Sequence, residues 1–227
     1  MPTIDVVTID GPSGSGKGTI SRAVARYAHW HLLDSGALYR LVALVGINDG
    51  LDPNDVAGHA RLASSMQVNF GTRPDGSELV TLAGQNVTAP IRSEIAGHGA
   101  SRVAAWPEVR AALLERQRAF WQPPGLVADG RDMGSVVFPQ AALKIFLTAS
   151  PAERALRRYK QLKDKGSDVS LPALSREIAE RDLRDSTRKA SPLKAAPDAH
   201  VIDSTELAIG EVVERVIALG RSGSLWK

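Results

Sequence analysis

The run Gly11-Pro12-Ser13-Gly14-Ser15-Gly16-Lys17-Gly18-Thr19 fits G-x-x-x-x-G-K, with Gly11, Gly16 and Lys17 at the diagnostic places. The chemistry such a run serves is phosphate binding. Glycines let the backbone approach an anion and adopt positive φ. Successive N–H groups at the start of a helix form a positive concavity. Lys17 reaches into it as a movable point charge for the β- and γ-phosphates of a nucleotide. Gly18 stands where the usual pattern has Ser or Thr, which removes the hydroxyl that ordinarily ligates Mg²⁺ directly. A nucleophile elbow would need G-x-S-x-G, and the fifth residue of Gly11-Pro12-Ser13-Gly14-Ser15 is Ser.

Three further groups of residues have types suited to holding anions. In Asp34-Ser35-Gly36-Ala37-Leu38-Tyr39-Arg40, Asp34 or Ser35 caps a helix and Arg40 falls away from most of its apolar positions. In Asp129-Gly130-Arg131-Asp132-Met133-Gly134, charged residues follow directly on a buried strand. A carboxylate at that strand end, beside a phosphate loop, is where Mg²⁺ or its waters are held. Gly130 and Gly134 are expected to loosen this loop. Arg181, Asp185 and Arg188 recur at i, i+4 and i+7, one stripe of a helix. A surface salt-bridge ladder would use the same residues, and Asp182 and Arg184 could build it equally well.

The elements that position these residues follow from periodicity. Ile4 to Ile9 is a β-branched run that reads as a buried parallel strand, and Ile20, Ala23, Val24 and Tyr27 mark the helix after the loop. Further strands are expected at residues 31–33, 126–128, 142–147 and 201–203; the second delivers the loop 129–134, and the others are followed by helical patterns, the last carrying Ile209, Val212, Val213, Val216 and Ile217. Residues 50–100 read differently. A modest helix at 54–65 precedes an alternating strand at 66–70, a turn at Arg73-Pro74-Asp75-Gly76, and a hairpin of 78–82 and 85–88 around Ala83-Gly84. Residues 91–106 read as helix in pieces, broken at Gly97 and Gly99. A helix then runs over 108–121 with Val109, Leu113, Leu114 and Phe120 inward and Arg116 and Arg118 in solvent. The helix after Pro151 carries Glu153, Arg154, Arg157, Arg158, Lys160 and Lys163 and leads into Asp164-Lys165-Gly166-Ser167, a basic arm that can close over phosphates. Residues 221–227 read as a frayed tail.

The predicted fold is therefore α/β: a five-stranded parallel sheet with helices on both faces, a small antiparallel β insert and a helical lid. The 227 residues suit one domain, with the inserted lobe at about 50–100 and the lid at about 154–190. The absence of Cys excludes disulfides and thiolate catalysis and fits a reducing, cytoplasmic setting. No signal-peptide pattern opens the chain, and no apolar run has the length of a membrane span. The net charge of +3, without an aromatic-basic run, fits arginines gathered around phosphorylated small molecules better than a nucleic-acid surface. The five His are scattered with no metal-binding spacing and read as structural or surface groups. With no long apolar stripe left over, a monomer is expected.

Together, residues 11–19, 34–40 (DSGALYR), 129–139 (DGRDMGSVVFP), 181–188 (RDLRDSTR) and 191–193 (SPL) closely resemble the bacterial cytidylate kinases. The G-K-G-T ending is the variant found in nucleoside monophosphate kinases, and the similarity covers nearly the whole chain. The resemblance implies transfer of the ATP γ-phosphoryl group to CMP or dCMP, with Mg²⁺ held by Asp129 through water. Residues 11–19, Lys17 among them, would hold ATP. By motif position Arg40 and Arg131 would grip the acceptor phosphate, and Ser35 and Asp132 would face the exocyclic amino group of cytosine. Ser101, Arg110 and Arg188 would contact the remaining base edge, and Arg181 and Asp185 the sugar side. Arg157 would be a lid arginine on the donor phosphates. Lys17, Arg131, Asp132, Arg157 and Arg188 form the implied catalytic set, and residues 50–100 the acceptor-binding lobe. The base-facing residues Ser35, Arg110, Asp132 and Arg188 argue against a non-nucleotide acceptor such as shikimate or gluconate and leave UMP and AMP as the alternative acceptors, while the modest +3 charge without an aromatic-basic run argues against an ATPase driven by RNA or DNA.

Cytosine offers an N4 amino donor where uracil has a carbonyl acceptor. An unpaired buried carboxylate facing uracil costs about 1–3 kcal/mol. Asp132→Ala is therefore expected to lose discrimination against UMP more than it loses ATP affinity. Steady-state kinetics with CMP and UMP check this, and equal losses for both nucleotides would remove Asp132 from base selection.

Overall fold

The structure, a computed structural model, describes residues 3–73, 77–164 and 166–226. Residues 74–76 of the expected turn and Lys165 of the expected arm lie outside the described residues. The chain forms two compact units, one of residues up to Trp30 and from Pro123 onward, the other of His31–Gln122.

The first unit is built on β1 (Ile4–Asp10), whose last five residues are all buried. A strand covered on both faces needs such a continuous run, and its neighbours are parallel, as that pattern implies. β1 lies between β6 (Leu126–Gly130) and β7 (Ala141–Thr148), with Thr8 opposite Ala128 and Ile9 opposite both Asp129 and Ile145. β7 pairs in parallel with β8 (His200–Asp203). The parallel sheet as a whole has the order β2-β6-β1-β7-β8, its edge strand β2 (His31–Asp34) being the first segment of the other unit. α1 (Lys17–Ala28) packs on β6 and on α8 (Ile209–Ser222), while α6 (Pro151–Lys163) packs on α7 (Leu171–Thr187).

Four local readings are corrected here. The tail is folded down rather than frayed. Trp226 packs edge-on to Trp30 and Tyr27, with centroids 5.6 and 6.1 Å away, and its indole N–H donates to the Ile217 carbonyl at 3.2 Å. Gly220 makes room for it, since a side chain there would overlap the indole. Arg188 lies just past α7 in extended backbone and donates to the Ser191 carbonyl at 2.6 Å, so the helical stripe ends at Asp185. Gly130 and Gly134 do not loosen their loop. A Cβ on Gly130 would stand 2.6 Å from the Met133 side chain, and one on Gly134 2.7 Å from the Thr8 hydroxyl, so both permit tight packing. Arg154, expected among the basic groups of an arm that closes over phosphates, is buried.

In the second unit, α2 (Ser35–Asn48) packs against α3 (Val56–Ser65) and α4 (Glu94–Val103), and α3 packs against α5 (Pro107–Arg118). β3 (Val68–Thr72), β4 (Glu78–Leu82) and β5 (Gln85–Asn86) form the antiparallel sheet. Ala83 and Gly84 both have positive φ (47° and 81°), as a two-residue hairpin turn requires. β5 is shorter than expected because the Thr88 hydroxyl accepts from the Val80 N–H at 2.8 Å, replacing a backbone partner. Arg116 is not simply solvated, since it donates to the Ser64 carbonyl at 2.8 Å and ties α5 to the end of α3. His59 is a core residue, its ring 5.3 Å from Trp106 and its Nδ1 2.7 Å from the Asp55 carbonyl.

Gly97 and Gly99 do not break α4, which is continuous through both. They are its contact face on α2: a Cβ on Gly99 would lie 2.6 Å from that of Ala43. Intrinsic propensity favours Ala over Gly inside a helix by about 1 kcal/mol, and overpacking costs about 1–3 kcal/mol. The second effect is expected to win. Gly99→Ala should lower the denaturant midpoint without changing the slope, and a stabilised variant would refute this packing role.

Candidate active site

In the first unit β1 runs straight into the glycine loop. A Cβ at Gly11 would collide with the Leu147 carbonyl of β7, so only glycine lets the chain leave the strand there. Gly16 has φ 93° and begins α1 in the left-handed region. The loop is braced from inside: the Ser15 hydroxyl and the Lys17 ammonium both donate to the Pro12 carbonyl, at 3.1 and 2.7 Å. Arg154 braces it from outside, donating to the carbonyls of Ser13 (3.1 Å) and Ala149 (3.0 Å) while its guanidinium fork grips Asp182 at 3.0 and 2.5 Å. The single hydroxyl proton of Ser204, just past β8, is shared between the Ser15 and Thr148 carbonyls, 3.3 and 3.0 Å away.

Lys17 is buried, and burial together with Arg131 pushes its ammonium down to about 7, against the pull of Asp129. Arg181 and Asp10 also act on it, so the loop lysine and the residues predicted after β6 and on α7 form one electrostatic cluster. Asp129 faces the loop, its Oδ2 3.3 Å from where a Cβ at position 18 would be. A larger residue than glycine at 18 would crowd that carboxylate. Arg131 donates through Nε to Asp185 at 2.9 Å. Burial alone would raise the Asp185 carboxyl, but Arg131, Arg181 and Arg188 hold it below the usual carboxylate range. Asp132 is buried between Arg131 and a wide turn over Met133–Val137. Arg157 has other partners: the Ser204 carbonyl and hydroxyl at 2.5 and 3.1 Å, and Glu153 at 2.9 Å.

Two residues here escaped sequence reading. Asp10 accepts the backbone N–H groups of Met133 and Gly134, both at 2.8 Å, and so pins the loop that carries Arg131 and Asp132. Burial raises its carboxyl to about 7 despite those bonds. Its position directly before the glycine run was the available signal. Arg154 was hidden inside a charge-rich helix, where the pattern alone does not separate one arginine from the next.

The second unit holds the other predicted residues. The Asp34 carboxylate caps α2, accepting from the Ala37 N–H at 2.9 Å. Arg92, also unremarked in the sequence, bridges Asp34 at 2.7 Å and Glu78 of β4 at 2.5 Å, fastening the small sheet to the start of α2. Burial would raise the Asp34 carboxyl, and Arg92 keeps it low. Ser35 is buried and donates to Gln117 of α5 at 2.6 Å. Arg40 donates to the Ile91 and Ser93 carbonyls at 3.0 and 3.4 Å, its guanidinium against the start of α4. Arg110 donates to the Ala104 carbonyl at 3.2 Å and stacks 5.7 Å above the Tyr39 ring. Ser101 lies half-buried on α4.

The model of the family described as cytidylate kinase matches residues 7–222. The chain is 56% identical over 214 residues to the cytidylate kinase of Azotobacter vinelandii, covering 94% of this chain and 93% of that one. It is 56% identical over 216 residues to that of Stutzerimonas stutzeri, covering 95% and 94%. It is 55% identical over 215 residues to that of Nitrosococcus oceani, covering 94% and 95%.

A lysine whose folded-state value is depressed binds its proton less readily than in the unfolded chain. Its charged form therefore destabilises the ligand-free fold, and the penalty lifts as pH rises from about 7 toward 10.5. Lys17→Met is expected to raise the melting temperature of the ligand-free protein at pH 7, by about 2–4 °C for each kcal/mol relieved. The advantage should shrink with rising pH. Thermal scans across pH 7–10 check this, and a variant less stable at pH 7 would contradict it.

Proposed function

The chain belongs to the cytidylate kinase family, and on that premise we propose that it transfers the γ-phosphoryl group of ATP to CMP or dCMP, giving ADP and CDP or dCDP. The observation that carries this reading is the phosphate loop with Lys17 buried among Asp129, Arg131 and Arg181. Such an arrangement gathers mobile and forked cations where a polyphosphate would sit, with carboxylates that offset their mutual repulsion. Phosphoryl transfer spreads negative charge over the equatorial oxygens, so positioning and cationic stabilisation supply most of the catalysis. No strong base is required, because the attacking phosphate oxygen is already ionised near pH 7.

We assign residues 11–19 to ATP. Arg40 and Arg131 take the acceptor phosphate, Ser35 and Asp132 the cytosine amino group, Ser101, Arg110 and Arg188 the remaining base edge, and Arg181 and Asp185 the sugar. Lys17, Arg131, Asp132, Arg157 and Arg188 act in the transfer. Arg157 would have to leave Ser204 and Glu153 to reach the donor phosphates. A single kinase domain, with residues 50–100 as acceptor lobe and 154–190 as lid, accounts for the motif order. The carboxylate of Asp129, set against the loop at Gly18, is the hard oxygen donor Mg²⁺ prefers, directly or through water. The oxygens of Asp10 are engaged by backbone N–H groups, which leaves Asp129 as the better holder. When bound, Mg²⁺ would neutralise phosphate charge. Among the described residues no helix is long and apolar enough to cross a membrane. We place the enzyme in the cytoplasm as a monomer acting on small molecules, without a nucleic-acid partner.

ADP formation from MgATP with CMP, dCMP, UMP, AMP or no acceptor tests the reading. Turnover with CMP and dCMP, at least about tenfold above the other acceptors in kcat/KM, is expected from the donor–acceptor mismatch with uracil. Turnover independent of any nucleotide acceptor would overturn the assignment.

A further inference from the structure

α5 turns Val109, Leu113 and Gln117 inward, at i, i+4 and i+8. Two are the apolar residues such a stripe needs. The third is an amide, only 2% exposed. Leu or Met would complete the stripe without desolvating a polar group, and a buried amide is costly unless it is bonded. Gln117 has a definite partner: its Oε1 accepts the Ser35 hydroxyl at 2.6 Å, across 82 residues of chain. Ser35 is itself 3% exposed, at the first turn of α2 behind the Asp34 cap.

A serine hydroxyl has one proton to give and two lone pairs to receive with. Once the proton is committed to Gln117, Ser35 meets any further group only as an acceptor. We infer that Gln117 is a specificity-determining positioning residue, which sets the hydrogen-bond polarity of Ser35 so that it receives the N4 amino group of cytosine and repels the O4 carbonyl of uracil. This rests on the assignment of Ser35 to the cytosine amino group. To donate to uracil, Ser35 would have to turn away from Gln117 and leave a buried Oε1 without that donor. Without Gln117 the hydroxyl rotates freely and serves either base.

The test is the ratio of kcat/KM for CMP to that for UMP in Gln117→Met, which is close in volume and lacks the acceptor, in Gln117→Leu, in Ser35→Ala and in the double variant Ser35→Ala/Gln117→Met. Circular dichroism first establishes that each is folded, and Gln117→Leu carries the test if the Met variant is not. The ratio is expected to fall about tenfold in either Gln117 variant. The fall should come mainly through a lower KM for UMP and a higher KM for CMP, with little further loss in the double variant. A merely structural role would depress kcat for both nucleotides and leave the ratio alone. If the ratio survives in folded Gln117 variants but falls in Ser35→Ala, the inference is overturned and the assignment of Ser35 stands. If Ser35→Ala leaves the ratio unchanged, that assignment fails and takes the inference with it. Additive losses in the double variant would show two independent contacts and would also overturn it.

Discussion

A lysine ammonium buried inside a glycine loop is the constraint from which the rest of the first unit follows. Desolvation opposes the charge, and Arg131 opposes it further. Asp129 and Asp10 oppose that trend and are themselves constrained, Asp10 by two backbone N–H groups and by its own burial. Such a site is poised rather than relaxed. It gathers Lys17, Arg131 and Arg181 beside the glycine loop, cations fixed in advance of any anion, which is the arrangement electrostatic preorganisation requires. A charged, desolvated lysine opposes the ligand-free fold, and the buried strands beneath it act in the other direction.

A poised loop needs tethers, and the structure supplies them with side chains that the reaction itself does not call for. Arg154 joins the loop to α7 through Asp182, and Ser204 joins it to β7. Each donates to a loop carbonyl and so leaves the loop's N–H groups for a ligand. In the second unit Arg92 does the equivalent work with charge, linking Asp34 to Glu78, while Gln117 holds Ser35 with a neutral amide. The residues that would touch substrate are thus a small part of the polar network. The remainder fixes the geometry and, at Ser35, the direction in which a hydrogen bond points.

The glycines divide along the same line. Gly11 and Gly16 serve backbone conformation or close approach at the loop, and their role is readable from the motif. Gly99, Gly134 and Gly220 serve side chains that come from elsewhere in the chain, against Ala43, Thr8 and Trp226. A helical glycine read only for its propensity looks like a break. Read with its neighbour, it is the condition for two helices or an indole to approach.

What the sequence by itself determined is everything that depends on near neighbours along the chain. That includes the buried run of β1, the turn into α1, the hairpin at Ala83-Gly84 and the carboxylate at the end of β6. It also includes the family, because several short motifs recur at set separations. Periodicity and turn chemistry are local, so twenty residues suffice to read them. The tertiary structure decided which polar groups meet. Ser35 with Gln117, Arg154 with Asp182, Asp10 with the Met133-Gly134 backbone and Trp226 with Gly220 all pair across the fold. Residue type tells only that a polar group must find a partner when buried. Which partner it finds is set by where the packed helices and strands bring the two together, and no local pattern encodes that choice.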